Sequence, residues 1–349
     1  MPVELSVAKQ LVWEHAGAWP RPLPPEQRAA EYARRFAPEL VWHGFQPIGR
    51  VESRDALVER VMQPLYAAFP DWRRVPYLFL AGVFEGSTWV ASMGDGLASF
   101  MQEWQIADDI VIPPSRERFR LRYGEFCRVE QGKDGPQIVE MRSLADLPAA
   151  LLPLGYDLIP AGAGRQLWPP GPATGDGVQL GEAAGAEAAG AETAGAATAQ
   201  TLALVEQMIF GGLNQYDGED PDSQDLVKYW HPEMQWHGPR GVGSSLGLDE
   251  FRYRTQGPIL QMVSDRKGVG HQARIAEGCY AASTGWPASV GTMAGDFLDW
   301  RATGEKMRWN VMDFWRREGD LLLEDWVLID MIDGAAQAGI DVWKRAGLR

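Results

Sequence analysis

Apolar positions along the chain change period several times, and each change marks an element. In "SRDALVERVMQPLYAAF", Leu57, Val61 and Leu65 recur at helical spacing behind Ser53, a residue type that caps helices, with Pro64 inside or at the end. Leu202, Val205, Met208 and Ile209 share one face of "TLALVEQMIFGGL" and predict the opening helix of a domain; "EQRAAEYARRF" takes that role earlier in the chain. Strand-like stretches follow: "GSTWVASMG", "RFRLRYGEFCRVE" and "PQIVEMRSL", then "KMRWNVMDFWRRE" and "DLLLEDWVLIDM". A short Gly-containing connection joins each late pair, as in a hairpin. Helices followed by an antiparallel sheet, twice over, predict an α+β fold.

The second occurrence repeats the first. Pro38, Trp42, His43, Gly44, Gly49, Asp55, Arg60, Pro64 and Asp71 find the same residue 194 positions later, from Pro232 to Asp265. The offset falls to 192 at Glu85 and Glu277, to 188 at Arg120 and Arg308, and to 184 at Glu140 and Glu324, Asp146 and Asp330, and Asp157 and Asp341. The last drop sits where "EQGKDGPQI" shortens to "REGDLL", at a hairpin tip, where chains tolerate length changes. Two copies of this length predict tandem globular domains, 1–160 and 200–349, with a Pro/Gly/Ala-rich linker over 161–199. "GEAAGAEAAGAETAGAATAQ" offers almost nothing to a core, although its Ala and Glu permit transient helix.

The net charge is −14 with no run of Lys or Arg, which removes the phosphate attraction that nucleic-acid binding relies on. No apolar run is long enough to span a bilayer and no secretory leader is legible, so a cytoplasmic protein without a membrane or nucleic-acid partner is expected. Cys127 and Cys279 are not repeat-equivalent, which argues against a disulfide. Fifteen tryptophans supply core and, in part, the aromatic lining that small-molecule pockets use.

The early Trp-His with a following Gly, "PLYAAFPD", "DFWRREGDLLLEDWVLID" and "QAGIDVWKR" resemble the SnoaL-like polyketide cyclases, of the nuclear-transport-factor-like superfamily of cone-shaped α+β domains. The resemblance implies one apolar pocket per domain, enclosed by a strongly curved sheet and N-terminal helices. It also implies a small apolar or polyketide-like ligand, and either an intramolecular pseudo-dimer of the two lobes or a homo-oligomer. Cyclases of this type close a ring by an aldol step that needs a shielded carboxylate. Their catalytic Asp falls on Val327 in the second copy and Ser143 in the first, and neither can move a proton as a carboxylate does.

If Val327 points into the cone, the period of two brings Asp325 in with it as the substitute acid/base, a solvated strand carboxylate being the rival reading; Met141 takes its place in the first copy. The resemblance places pocket residues at Asn310 and Met312, and at Arg122 and Gly124 in the first copy. Asp313 has the opposite parity and is expected outside, and the first copy, which presents Met141, Arg122 and His43, is expected to hold no pocket carboxylate. His237 is the second candidate for proton transfer, with a structural role as its rival; Trp236 and His43 complete the expected lining. Asp146 and Asp330 read as helix caps, Glu140 and Glu324 as surface charges. His231, Glu233 and His237 do not make a convincing metal set across Pro232, and no cofactor is expected. The leading expectation is a cofactor-independent cyclase or isomerase acting on a small carbonyl compound. The rivals are a non-catalytic binding or dimerisation module of the same fold, and a hydrolase using carboxylate-activated water.

Overall fold

The computed structural model describes residues 2–16, 25–180 and 191–349. It divides into two compact units: the described residues up to Tyr156 with 175–180 and 343–349, and residues 157–174 with 191–342.

The first lobe is a six-stranded sheet in the order β2-β1-β8-β7-β4-β3, formed by β1 (Phe36–His43), β2 (Arg50–Glu52), β3 (Arg73–Phe84), β4 (Ser87–Ser99), β7 (Arg118–Gly132) and β8 (Gly135–Ala145). A small hairpin of β5 (Trp104–Ala107) and β6 (Ile110–Ile112) stands apart. The second lobe repeats the order as β10-β9-β15-β14-β13-β11, from β9 (Trp230–His237), β10 (Ser244–Leu246), β11 (Lys267–Gly268), β13 (Tyr280–Thr292), β14 (Lys306–Glu318) and β15 (Leu321–Ile329); β12 (Ala273–Glu277) also pairs with β13. In each lobe the first strand runs parallel to the last, β1 with β8 and β9 with β15, while the other neighbours are antiparallel. Register shifts at Pro76/Leu78 and Gly285/Ser289 bend the sheets. Each lobe is an α+β cone, a curved sheet packed against N-terminal helices.

The helix Leu5–Ala16 packs on β3 and β4, burying Ala8, Leu11 and Val12 at helical spacing. Its counterpart is the helix Ala191–Gly211, which packs on β12 and β13 and buries Val205, Met208 and Ile209. The segment "EQRAAEYARRF", given that role from sequence, forms a further helix, Pro25–Arg35, beside β1 and β8.

The next helical segment has the same irregularity in both lobes. Arg54–Leu57 and Gln63–Ala68 flank a π-turn at Val58–Met62; Leu248–Glu250 and Gly257–Met262 flank one at Phe251–Gln256. The Gln63 and Gly257 N–H groups reach back five residues, to the Val58 and Arg252 carbonyls. Pro64 and Pro258 follow immediately, and with no N–H to donate they leave the ordinary four-residue ladder incomplete at that point. The helix widens instead of ending. Ser53 caps its start by accepting from the Ala56 N–H at 3.2 Å, and Asp146 and Asp330 cap the closing helices by accepting from Ala149 and Asp333 at 3.2 and 3.1 Å. Asp71 and Asp265 both take the N–H and hydroxyl of a β-strand end, Ser99 and Thr292, a repeat-equivalent tether.

Of the span read as linker, residues 181–190 lie outside the described residues. Residues 161–180 carry regular contacts within their own units. Arg165 and Ser244 exchange backbone hydrogen bonds, the Pro170 carbonyl accepts from the Trp326 indole at 2.8 Å, and Phe79 bonds to Gly177 and Gln179. Turn-forming composition therefore coexists here with fixed backbone partners. Among the described residues no helix is long and apolar enough to cross a membrane.

Candidate active site

In each lobe the concave face of the sheet and the helices enclose a pocket, about 1000 Å³ in the first and about 870 Å³ in the second including the open mouths. Strand register decides which side chains enter. In the second lobe Asp313 stands opposite Val327, Trp315 opposite Asp325, and Asp325 opposite Trp236. Partners across a sheet share a face, so Val311, Asp313 and Trp315 of β14 line the pocket with Asp325, Val327 and Ile329 of β15 and Trp236 of β9.

Three expectations are corrected by the same rule. Asn310 and Met312 alternate with the lining residues and point to the other face, where Met312 is fully buried. His237 pairs opposite Trp326, not Asp325, and its ring lies 5.8 Å from the Trp326 ring on that same far face. Asp313, expected outside, is inside. In the first lobe His43 stands opposite Arg142, away from the pocket, and Arg122 is fully buried outside the lining. Burial and then the Arg142 charge lower the His43 pKa to about 4, against the pull of Glu140. Glu140 and Glu324 are not loose surface charges either. Glu140 pairs with Arg128 and Arg142, and Glu324, 1 % exposed, pairs with Arg316 and accepts from the Ala173 N–H. His231 Nδ1 accepts from the Glu233 N–H at 3.1 Å, an ordinary local bond.

The first lobe does hold a pocket carboxylate, Glu125, the repeat equivalent of Asp313. It is 1 % exposed, and Arg74 clamps both its oxygens at 2.9 and 3.0 Å. His15, from the N-terminal helix, approaches at 3.2 Å, and Ser143 donates at 3.2 Å while accepting from the Trp42 indole at 2.9 Å. Burial alone raises the proton affinity of Glu125, but Arg74 and His15 overcome it and hold the carboxyl well below the usual range. Burial also lowers the His15 pKa. This carboxylate is ionised and committed to its partners.

Asp313 is in the opposite condition. Burial pushes its pKa up from 3.8 to about 7, and the opposing charge of Arg266 only limits the rise. Arg266 lines the same pocket, its own pKa lowered by burial. It is not the repeat equivalent of Arg74. The offset of 194 that matches Asp71 with Asp265 puts Arg266 at the position of Trp72, and Gly268 at that of Arg74.

Around Asp313 and Asp325 the walls are aromatic: Trp230, Trp236, Phe251, Phe297, Trp309 and Trp315. The indole N–H groups of Trp230, Trp309 and Trp315 and the Oε1 of Gln256 are buried without a hydrogen-bond partner in the protein. A carboxyl titrating near neutrality, a second carboxyl two residues away across the strand pair, a guanidinium and indole donors are the parts needed to move a proton on a carbonyl compound.

No protein-family profile matches the sequence, and no curated protein does. Among solved structures, the chain is similar to TsrD from Streptomyces laurentii, with 23 % identity over 39 % of this chain and 96 % of that one at a TM-score of 0.32. It is similar to a candidate SnoaL-like polyketide cyclase from Jannaschia sp. CCS1, with 15 % identity over 43 % and 94 % of the two chains at a TM-score of 0.34. An NTF2-like protein from Burkholderia thailandensis E264 matches at 18 % identity over 45 % of this chain and its whole length, with a TM-score of 0.30.

Proposed function

We propose that the second lobe is a cofactor-independent proton-transfer enzyme acting on a small, mostly apolar carbonyl compound, in a reaction of the cyclase or isomerase type. The observation that carries this reading is the pair Asp313 and Asp325, diagonal neighbours on adjacent strands inside an aromatic pocket. Ionised Asp313 takes a proton from the carbon beside the carbonyl; the C–H electron pair becomes the enolate double bond and the carbonyl pair moves to oxygen. Arg266 and an indole N–H receive that charge. The enolate carbon then either attacks a second carbonyl, whose π pair moves to its oxygen and takes the proton from Asp313, or itself regains that proton; in both cases Asp313 ends ionised and no electrons leave the substrate. Asp325 keeps a second carboxyl beside the reacting carbon and orients it. A pKa near 7 suits Asp313 for both halves of the cycle at neutral pH.

The test is solvent-deuterium exchange into a panel of apolar 1,3-diketones, followed by NMR. Wild type is expected to accelerate exchange with an inflection near pH 7, Asp313→Asn to lose about a hundredfold or more, and His237→Gln to stay within about twofold of wild type. Full exchange activity in Asp313→Asn rules out this reading.

A further inference from the structure

The first lobe's pocket has its carboxylate tied down and is built for a different task. We propose that it binds a small molecule with an aromatic body and a single carboxylate. The reasoning is independent of the second-lobe reading. The Glu125 and Arg74 charges cancel in their two-pronged ion pair, and His15, its pKa lowered by burial, adds no charge at neutral pH. Of the other polar residues in the lining, which include Gln105 and Tyr66, the Tyr123 hydroxyl and Arg60 are the two that lack, among the described residues, an internal partner of the kind they need. Tyr123 is 6 % exposed, lines the cavity, and its hydroxyl has no hydrogen-bond partner in the protein. Phenolic groups buried in this way need an acceptor, and a ligand oxygen supplies one.

Arg60 stands at the exposed mouth of the same cavity. Its repeat equivalent Arg254 pairs with Glu250 one helical turn back, at 3.2 Å. The residue equivalent to Glu250 in the first lobe is Ala56, and among the described residues Arg60 makes no ion pair. The first copy thus lacks that internal carboxylate, and its cation faces a cavity in a protein whose net charge is −14. Between the two polar groups the walls are Trp42, Trp72 and Trp104, flat surfaces that accept an aromatic ring. The ligand's ring lies among the indoles, its carboxylate meets Arg60, and a second oxygen accepts from Tyr123.

Isothermal titration of the full chain with 6-hydroxy-2-naphthoate and with the corresponding amide tests this. The carboxylate is expected to bind about fivefold more tightly than the amide, the value of an exposed ion pair. Arg60→Gln should abolish that preference and leave the amide's affinity unchanged. Tyr123→Phe should weaken both probes about fivefold. Because Arg266 gives the second pocket a cation too, the titration is repeated in Val327→Trp, which fills that pocket; binding must persist. Equal affinity of the two probes, a preference that survives Arg60→Gln, binding lost in the folded Val327→Trp protein, or no binding at millimolar concentration each overturns the proposal. Arg60 is exposed, so its variant folds even if Tyr123→Phe does not.

Discussion

Replacing Asp313 with Asn should flatten the pH dependence of the second lobe's stability. A carboxyl whose pKa is higher in the folded protein than in the unfolded chain keeps its proton more firmly when folded. Its contribution is therefore most favourable at low pH and is lost as pH rises through the window between the two values. For Asp313 that window runs from 3.8 to about 7. At about 1.4 kcal/mol per pH unit the full loss is about 4 kcal/mol, and about 3 kcal/mol of it falls between pH 4.5 and 8. Asp313 keeps partial access to pocket water, so these figures are ceilings. Asn carries no such titration, and the variant should gain on wild type by up to that amount as pH rises, with the difference flat above pH 8. Hydrogen exchange of β14 and β15 amides in graded urea, read by mass spectrometry, reports this lobe separately from the first. Parallel stability profiles of the two proteins, within about 0.5 kcal/mol from pH 4.5 to 8, would refute the assignment of a raised pKa to Asp313.

In the first lobe, Arg74→Met should destabilise by about 3 to 5 kcal/mol, because it strands a buried charge, and adding Glu125→Gln should restore most of the loss; urea unfolding of the single and double variants checks both. Ser53→Ala should cost about 1 kcal/mol in the same assay by removing the cap on the irregular helix. Asp325→Asn should lower diketone exchange less than Asp313→Asn does, and a larger effect at Asp325 would reverse the two roles. Trp315→Phe keeps an aromatic ring but removes an unpartnered donor together with one fused ring, so it should slow exchange and cost about 1 to 2 kcal/mol of stability, read by urea unfolding.

The repeat register, the α+β order and the late hairpins are legible in the sequence because identities at a fixed offset and turn residues at strand ends are local signals. Which face of β14 meets the pocket is not. Trp309, Val311 and Trp315 are apolar on one side, and Met312 and Phe314 are apolar on the other, so alternation gives no answer on a strand buried on both faces. Only the pairing of Asp313 with Val327 resolves it. The repeat did contain a usable clue: an acidic residue stands at both Glu125 and Asp313, while His43 and His237, identical in the two copies, share the opposite face. The roles of His15 and Arg74 are not legible in the sequence, because both reach Glu125 from elements distant along the chain and the helix carrying His15 precedes the repeat register that begins at Pro38.

The shift of the pocket arginine from the position of Arg74 to that of Trp72 makes the two lobes a controlled comparison within one polypeptide. Both begin with an acid at the same place on the same strand. One lobe answers it with a cation that grips it from two directions; the other sets its cation one pleat away, and the acid recovers its proton. Gene duplication is usually credited with freeing one copy to change its working residues, yet here the acid is retained in kind while its cationic counterweight and neighbours such as Met141/Asp325 and Ser143/Val327 differ. Divergence of chemistry can therefore proceed without touching the reactive group, through the neighbour that decides when that group is charged. It also implies a test of the arginine's share: exchanging Trp72 with Arg and Arg74 with Gly should raise the proton affinity of the first lobe's acid, while His15 and Ser143 remain in contact with it.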